Sequence, residues 1–294
     1  MTRLVIGTRG SKLALYQTNL VAGLLVAAHP GLEVHIRTIQ TQGDATQAAN
    51  IPLSSFGEKG IFAKELELAL LNSEIDLAVH SMKDLAHTLP DGLCIAAVPS
   101  REDPRDALVG AALDSLPEGA RVGTGSVRRR ALFQSRRPDL KLLEIRGNVD
   151  TRLRKLSEGQ YDAICLAVAG LNRLGLQSHI AETLDASWFT PDPGQGALAI
   201  ETRVDDAHTR EIIAVLNDKT AELTTRAERA FLRAVGGSCQ TPVGALAVLN
   251  GNVLTLSGMT AKPDGSEIKR AMETAPADLP EELGRRIAGK LTAG

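Results

Sequence analysis

The sequence predicts an α/β protein in three parts, and three observations carry that reading. Short apolar runs of strand length alternate with amphipathic helical stretches over the first two thirds of the chain, which implies βαβ units and a largely parallel sheet. Two breaker clusters, Arg101-Glu102-Asp103-Pro104-Arg105-Asp106 and Pro191-Asp192-Pro193-Gly194-Gln195-Gly196, divide that region. After Cys239 the pattern changes to paired strands around turn residues, closed by one helix, which is the texture of a small α+β unit. A length of 294 residues fits about two or three domains.

Residues 4–7 read as the first strand, and 11–28 as a helix closed by His29-Pro30-Gly31. Residues 33–39 are strand-like. Phe62, Leu66, Ala69 and Leu70 recur at helical spacing, which predicts a helix that turns Glu65 and Glu67 outward. Residues 75–79 and 93–98 read as short buried strands. The charged, proline-containing break at 101–106 marks a domain boundary. Beyond it come a strand at 120–123, a helix at 126–136, a strand at 142–145, a helix at 149–156 and a strand at 163–168. The second breaker cluster ends this block. Residues 220–235 form a helix with Leu223, Ala227, Phe231 and Ala234 on one face. Residues 243–249 and 253–258 flank Asn250-Gly251, the strongest short hairpin signal. Pro263-Asp264-Gly265 marks the next turn, and 279–291 is helical. No internal repeat or low-complexity tract is visible.

Composition narrows the function. Apolar residues make up 43% and charged residues 23%, as in ordinary globular proteins. The 33 basic and 35 acidic residues nearly cancel, to a net charge of −2, which argues against a nucleic-acid partner. Aromatics at 3% leave little for stacking bases. Cys94 and Cys165 fall in apolar runs and read as small buried core residues. With no CxxC pair and no Cys/His metal spacing, no metal is expected, and a reducing compartment fits. A strand begins almost at once with no leader ahead of it, and the longest apolar stretch, 20–28, is far short of the roughly 20 residues a membrane helix needs. The expectation is a cytoplasmic protein without a membrane partner.

Against this balanced background the arginines stand out. Arg9, Arg128, Arg129, Arg146 and Arg152 each follow a short apolar run beside Gly, Ser or Thr, where a chain leaves a strand and presents side chains to a cleft. Guanidinium groups pair with carboxylates and phosphates in a forked geometry. Ser11, Thr124 and Ser126 sit where strands hand over to helix N-termini, whose free N–H groups favour an anion. Arg130, Arg136 and Arg137 read as solvated helix-face charges. Adjacent helical residues point about 100° apart, so Arg128 and Arg129 cannot face a cleft identically. Cys239 lies in the polar, glycine-rich turn Gly236-Gly237-Ser238-Cys239-Gln240-Thr241-Pro242 and is a candidate covalent anchor. Together these features point to a cleft holding a polyanionic organic ligand.

The segments that carry a family resemblance are Thr8-Arg9-Gly10-Ser11-Lys12-Leu13-Ala14, Val79-His80-Ser81-Met82-Lys83-Asp84, and the break at 101–106. They continue with Gly123-Thr124-Gly125-Ser126-Val127-Arg128-Arg129, Arg146-Gly147-Asn148-Val149-Asp150-Thr151-Arg152-Leu153 and Leu166-Ala167-Val168-Ala169-Gly170-Leu171. Gly194-Gln195-Gly196-Ala197 and Gly237-Ser238-Cys239-Gln240-Thr241-Pro242 complete the set. In this order, over nearly the whole chain, they resemble the porphobilinogen deaminases, also called hydroxymethylbilane synthases. The resemblance implies two α/β domains arranged like a periplasmic binding protein, flanking a cleft, plus a small α+β C-terminal domain carrying the cofactor cysteine. On that pattern domain 1 is 1–100 with 197–216, domain 2 is 101–196, and domain 3 is 217–294.

The same resemblance implies a transferase that joins four porphobilinogen molecules head to tail with loss of ammonia, then releases hydroxymethylbilane by hydrolysis. Its cofactor is a dipyrromethane held by a thioether to Cys239. By the family pattern Asp84 is the catalytic residue. Lys83, Ser126, Arg128, Arg129, Arg146 and Gly147 join Cys239 in binding the cofactor, while Arg9, Ser11, Thr124, Arg152, Arg173, Gln195 and Lys59 bind substrate. The family also implies a monomer.

Each assignment has a plainer counterpart. Asp84 with Lys83 is also an ordinary turn pair, His80 reads as structural, and Phe62 fits the core as well as a cofactor ring. Lys59, in Phe56-Gly57-Glu58-Lys59-Gly60, is either a loop cation that closes over a cleft or a simple exposed lysine. Three positions depart from the family: Gly125 where many members have Ser, Asp150 where some have Gly, and Leu85-Ala86 where Val-Pro is frequent. The alternative to the enzyme is a non-catalytic, two-lobed small-anion-binding protein, which leaves Cys239 and the third part unexplained.

Overall fold

Turn and cap residues place the elements much where the sequence puts them. The computed structural model describes residues 3–41, 63–236 and 241–292. Its first elements are β1 (Arg3–Thr8), α1 (Lys12–Ala28), β2 (Glu33–Thr38), α2 (Lys64–Leu71), β3 (Leu77–Ser81) and β4 (Leu93–Ala97). Next come β5 (Asp106–Val109), β6 (Arg121–Gly123), α3 (Val127–Arg136), β7 (Lys141–Leu143), α4 (Val149–Ser157), β8 (Ala163–Ala167), α5 (Val168–Arg173) and β9 (Ile180–Thr183). The chain ends with β10 (Leu198–Arg203), α6 (Ala207–Ile213), α7 (Lys219–Ala234), β11 (Val243–Asn250), β12 (Val253–Ala261), β13 (Ile268–Pro276) and α8 (Pro280–Thr292). Ser11 and Ser126 cap α1 and α3 by accepting from the N–H of Ala14 and Arg129, and such caps are worth about 1 kcal/mol each.

Contacts divide the chain into two units, Met1–Glu102 with Ala197–Glu222 and Asp103–Gly196 with Leu223–Gly294. The first unit is built on a five-stranded sheet of order β2-β1-β3-β10-β4. β1 runs parallel to β2 and β3, while β10 lies antiparallel to both β3 and β4. Leu4, Ile6, Val21, Leu25, Leu77, Val79, Leu198 and Ile200 form a core on one face. Glu67 corrects the amphipathic reading of α2. It is buried rather than outward, because this short helix packs on more than one side and its Glu67 face meets the sheet.

The second unit holds a five-stranded sheet of order β7-β6-β8-β5-β9 and a three-stranded antiparallel sheet, β11-β12-β13. β6 is parallel to β7 and β8, but β5 is antiparallel to β8 and β9. Both five-stranded sheets are thus mixed rather than largely parallel. Apolar runs mark strands but carry no direction, and a strand that arrives from a distant part of the chain need not follow the βαβ rule. Asp106, read as part of a charged break, instead begins β5 at zero exposure. The strand predicted at 142–145 ends at Leu143, and Cys94 is half-buried, its Sγ 3.7 Å from Thr202 Oγ1. Arg137 is partly exposed, and it also donates to the carbonyls of Leu113 and Leu116 and pairs with Asp139.

The three-stranded sheet packs on two sides. Its own helices α7 and α8 cover Leu254, Leu256 and Ala245 with Phe231, Leu283 and Ile287. At Gly284 a Cβ would lie 2.6 Å from the Ala227 carbonyl, so only glycine allows this close helix crossing. Met259, Ala261 and Ile268 instead reach the core around Phe133 and Phe189 in the neighbouring α/β block.

Candidate active site

In the first unit a cavity is lined by Arg9, Ser11, Gln17, His80, Ser81 and Asp84, among others. Apart from Gln17 on α1, its polar groups come from the ends of β1 and β3, where strands hand over to helical turns. Residues Met82–Asp84 form a single 3₁₀ turn after β3. Met82 and Leu85 are both 1% exposed, and the Met82 N–H donates to the Ala197 carbonyl at 3.0 Å. The two apolar anchors, three residues apart, press the turn into the core and turn Asp84 outward, with Lys83 beside it half-buried. Gln17 donates to Ser81 Oγ at 2.9 Å, so the cavity wall is hydrogen-bonded before any ligand enters.

In the second unit Asp106 organises the arginines. Its Oδ1 accepts from Arg129 Nη2 at 2.7 Å, Arg129 Nε at 3.1 Å and Gln195 Nε2 at 3.0 Å. Its Oδ2 lies 2.9 Å from Arg128 Nη1, which also donates to the Thr190 carbonyl. Consecutive arginines of α3 therefore grip opposite oxygens of one carboxylate, which satisfies the angular offset between neighbouring helical residues. Burial alone would lower the basicity of Arg129, but the charge of Asp106 more than offsets it and holds the guanidinium above its ordinary pKa. Arg128 keeps one buried N–H, at Nε, without a hydrogen-bond acceptor among the described residues.

The other predicted residues surround this node or the ends of neighbouring strands. Thr124 is fully buried, and its Oγ1 accepts from the Ser126 N–H at 3.2 Å. Arg146 Nη2 lies 3.0 Å from Glu144 Oε1, with its side chain 19% exposed. Gly147, at φ +104°, takes a conformation that suits glycine, and Arg152 Nε donates to its carbonyl at 2.8 Å. Arg173 Nη2 donates to the Gly196 carbonyl at 2.6 Å, and Gln195 Nε2 to that of Pro104 at 2.6 Å. Glu228, fully buried on α7, accepts from the N–H groups of Gly194 and Ala247 and so ties the Gly194-Gln195-Gly196 turn to β11. Cys239 and Lys59, with Phe62, lie outside the described residues.

Sequence reading missed Asp106, Glu144, Glu201 and Glu228 as organising groups. A lone carboxylate at the edge of an apolar stretch was the available signal for Asp106 and Glu201, since a charge within a buried strand needs a partner. Gly125 has a physical counterpart here: a Cβ at that position would sit 3.3 Å from Glu144 Oε1 and from the Ile145 carbonyl, so glycine leaves room for the Glu144 side chain. Among the described residues no group of His, Cys, Asp and Glu could hold a metal ion, and no helix is long and apolar enough to cross a membrane.

A family model described as porphobilinogen deaminase, dipyromethane cofactor binding domain, matches residues 4–211, and one described as porphobilinogen deaminase, C-terminal domain, matches residues 222–293. A curated porphobilinogen deaminase of Roseiflexus sp. (strain RS-1) is 50% identical over 291 residues, spanning 98% of this chain and 95% of that protein. That of Chromobacterium violaceum is 48% identical over 294 residues, spanning 99% of this chain and 94% of the relative. A solved periplasmic binding protein of Salmonella typhimurium superposes at a TM-score of 0.41 with 13% identity, over 76% of this chain and 94% of that one, a loose match from which nothing about function follows. Two family models that together span nearly the whole chain, and relatives at about half identity, leave one conclusion: the chain belongs to the porphobilinogen deaminase family.

Proposed function

We propose that this porphobilinogen deaminase couples porphobilinogen units head to tail with Asp84 as its catalytic carboxylate and with its arginines as the carboxylate-holding groups. The observation that carries this reading is the outward Asp84 on a turn pinned by Met82 and Leu85, in one cavity with Arg9. An outward carboxylate on an anchored turn meets the need of a reaction that builds positive charge on a pyrrole ring.

The dipyrromethane that the family model implies is an anion, and the donor set fits it. Arg128 holds a buried Nε–H with no acceptor among the described residues, in the N-terminal turn of α3, and an anion there would satisfy it. Cys239 would hold the group through sulfur, with Lys83, Ser126, Arg128, Arg129, Arg146 and Gly147 around it. When bound, it supplies the nucleophilic pyrrole carbon to which each new unit is joined.

The chain's own residues then do three things. Arg9, Ser11, Thr124, Arg152, Arg173, Gln195 and Lys59 bind the acetate and propionate of the incoming porphobilinogen, so that its reacting carbon is held in place. Asp84 stabilises the positive charge that spreads to the pyrrole nitrogen as ammonia leaves. It also takes up the proton lost from the pyrrole carbon as the new bond rearomatises the ring. After four additions, hydrolysis releases hydroxymethylbilane. We infer a monomer working in the cytoplasm. Three widely spaced cysteines without a CxxC pair suit a reducing compartment, and gel filtration at micromolar concentration tests the stoichiometry.

Intact-mass measurement of the purified protein tests the tether. The wild type should weigh more than the bare chain, and Cys239→Ala should weigh no more than its own sequence. A wild-type mass equal to the sequence, unchanged by added porphobilinogen, would exclude the covalent primer. Arg146 offers a second test, because its pairing with Glu144 leaves it partly exposed. A charge-assisted hydrogen bond is worth about 1.5–3 kcal/mol, so Arg146→Leu should slow assembly of the cofactor on the bare chain roughly ten- to a hundredfold. The time course of mass gain after porphobilinogen is added measures this, and an unaltered rate would remove Arg146 from cofactor binding.

A further inference from the structure

Behind the cavity that contains Asp84 lies a group of charges that the coupling reaction, as described, does not use. His80 on β3 lines the cavity, and its Nε2 lies 3.0 Å from Glu201 Oε2 on β10, with side-chain exposures of 5% and 0%. The register of β3 against β10, with Ala199 opposite His80 and Glu201 opposite Ala78, places the two side chains on one face. The contact is close enough for an ion pair but lies off the line a hydrogen bond needs, and neither Glu201 oxygen has a well-directed donor among the described residues. Glu67 approaches from α2 and is 9% exposed. Burial first, then the negative charge of Glu201, pushes its carboxyl up to about 7, with His80 opposing and Glu65 adding to the rise. A fully buried carboxylate in a central strand, an imidazole in the cavity wall and a second buried carboxyl therefore form one electrostatic unit.

We infer that Glu67, His80 and Glu201 are positioning residues, a buried proton-holding triad whose charge sets the pH range over which the Asp84 cavity accepts the substrate's carboxylates. The inference rests on the reading of Asp84 and Arg9 given above. When Glu67 gives its proton to solvent, the triad gains one negative charge. That charge lies beside His80, in the wall of the cavity that Arg9 and Asp84 also line. The added charge weakens the pull of Arg9 on an anionic substrate, because a buried charge is poorly screened. From the elements packed around Glu67, the groups that face it are Glu65 on its own helix, His80 on β3 and Glu201 on β10.

The test is the pH dependence of KM and kcat for porphobilinogen in the wild type and in Glu67→Gln, both checked by intact mass. In the wild type KM should climb several-fold as the pH passes through about 7, with kcat steady. In Glu67→Gln the climb should vanish. Parallel KM curves in the two proteins, or a uniform loss at every pH, would overturn the inference. A second arm needs no turnover. The Cε1–H resonance of His80, identified among the six histidines by its absence in His80→Gln, should shift with a step near pH 7 in the wild type and lack it in Glu67→Gln. If the wild type consumes no porphobilinogen, the reaction reading fails while this arm still judges the triad, and a wild-type resonance without that step would overturn it.

Discussion

Asp106→Ala should destabilise the second unit by about 3–5 kcal/mol, the range observed when one partner of a buried ion pair is removed. Asp106 has no exposure, and it receives Arg128, Arg129 and Gln195 at 2.7–3.1 Å. Without it two guanidinium groups remain out of water, and like charges on adjacent residues of α3 lose the anion that separates them. Arg129 would keep the Cys165 carbonyl and Arg128 that of Thr190, but a neutral acceptor does not balance a buried charge. The chain's one tryptophan reports on this unit. Trp188 packs edge-on to Phe189 with ring centroids 5.0 Å apart, and Phe189 in turn contacts Phe133. Urea unfolding followed by Trp188 fluorescence should show an earlier midpoint with an unchanged slope. A midpoint within error of the wild type would mean that Arg128 and Arg129 find other anions, and that Asp106 does not organise them.

Asp84→Ala should have the opposite signature, a folded protein that scarcely turns over. Its carboxylate is outward, and the turn that carries it is held by the side chains of Met82 and Leu85 and by the Met82 N–H, none of which the substitution touches. A positioned acid–base group contributes roughly 10²–10⁴-fold, so kcat should fall by about that factor while the unfolding midpoint and the intact mass stay put. Loss of porphobilinogen from solution measures the rate. Turnover within a few-fold of the wild type would take the catalytic role away from Asp84. Comparable loss of stability and rate would point to a structural role.

Much of the architecture was legible because local physics fixes it. Ser11 and Ser126 announce helix starts, Asn250-Gly251 announces a hairpin, and apolar runs announce β1, β6 and β8. What the sequence hides is which strand lies beside which. Nothing in Leu198-Ala199-Ile200-Glu201 says that this segment enters a sheet whose other strands were all finished by residue 97. Buried charge was hidden for the same reason. Asp106 looks solvated inside Asp103-Pro104-Arg105-Asp106, and Glu67 looks solvated on an amphipathic helix. Each is buried only because partners from distant parts of the chain, Arg128 and Arg129 in one case and His80 and Glu201 in the other, converge on it. The arginines were legible as a class, since their apolar-run-then-glycine setting marks strand ends. Their individual partners were not: Glu144 for Arg146, the Gly147 carbonyl for Arg152 and the Gly196 carbonyl for Arg173 are facts of three dimensions.

The place of β10 in the first sheet has a consequence for how this protein is made. On the ribosome, β1 to β4 emerge about a hundred residues ahead of the strand that must separate β3 from β4. Until then β3 and β4 have no partner for the sides that β10 will occupy. Vectorial synthesis thus leaves the N-terminal sheet unfinished while the whole second α/β block is translated, and a chaperone that shields β3 and β4 over that interval would act before any later step of assembly.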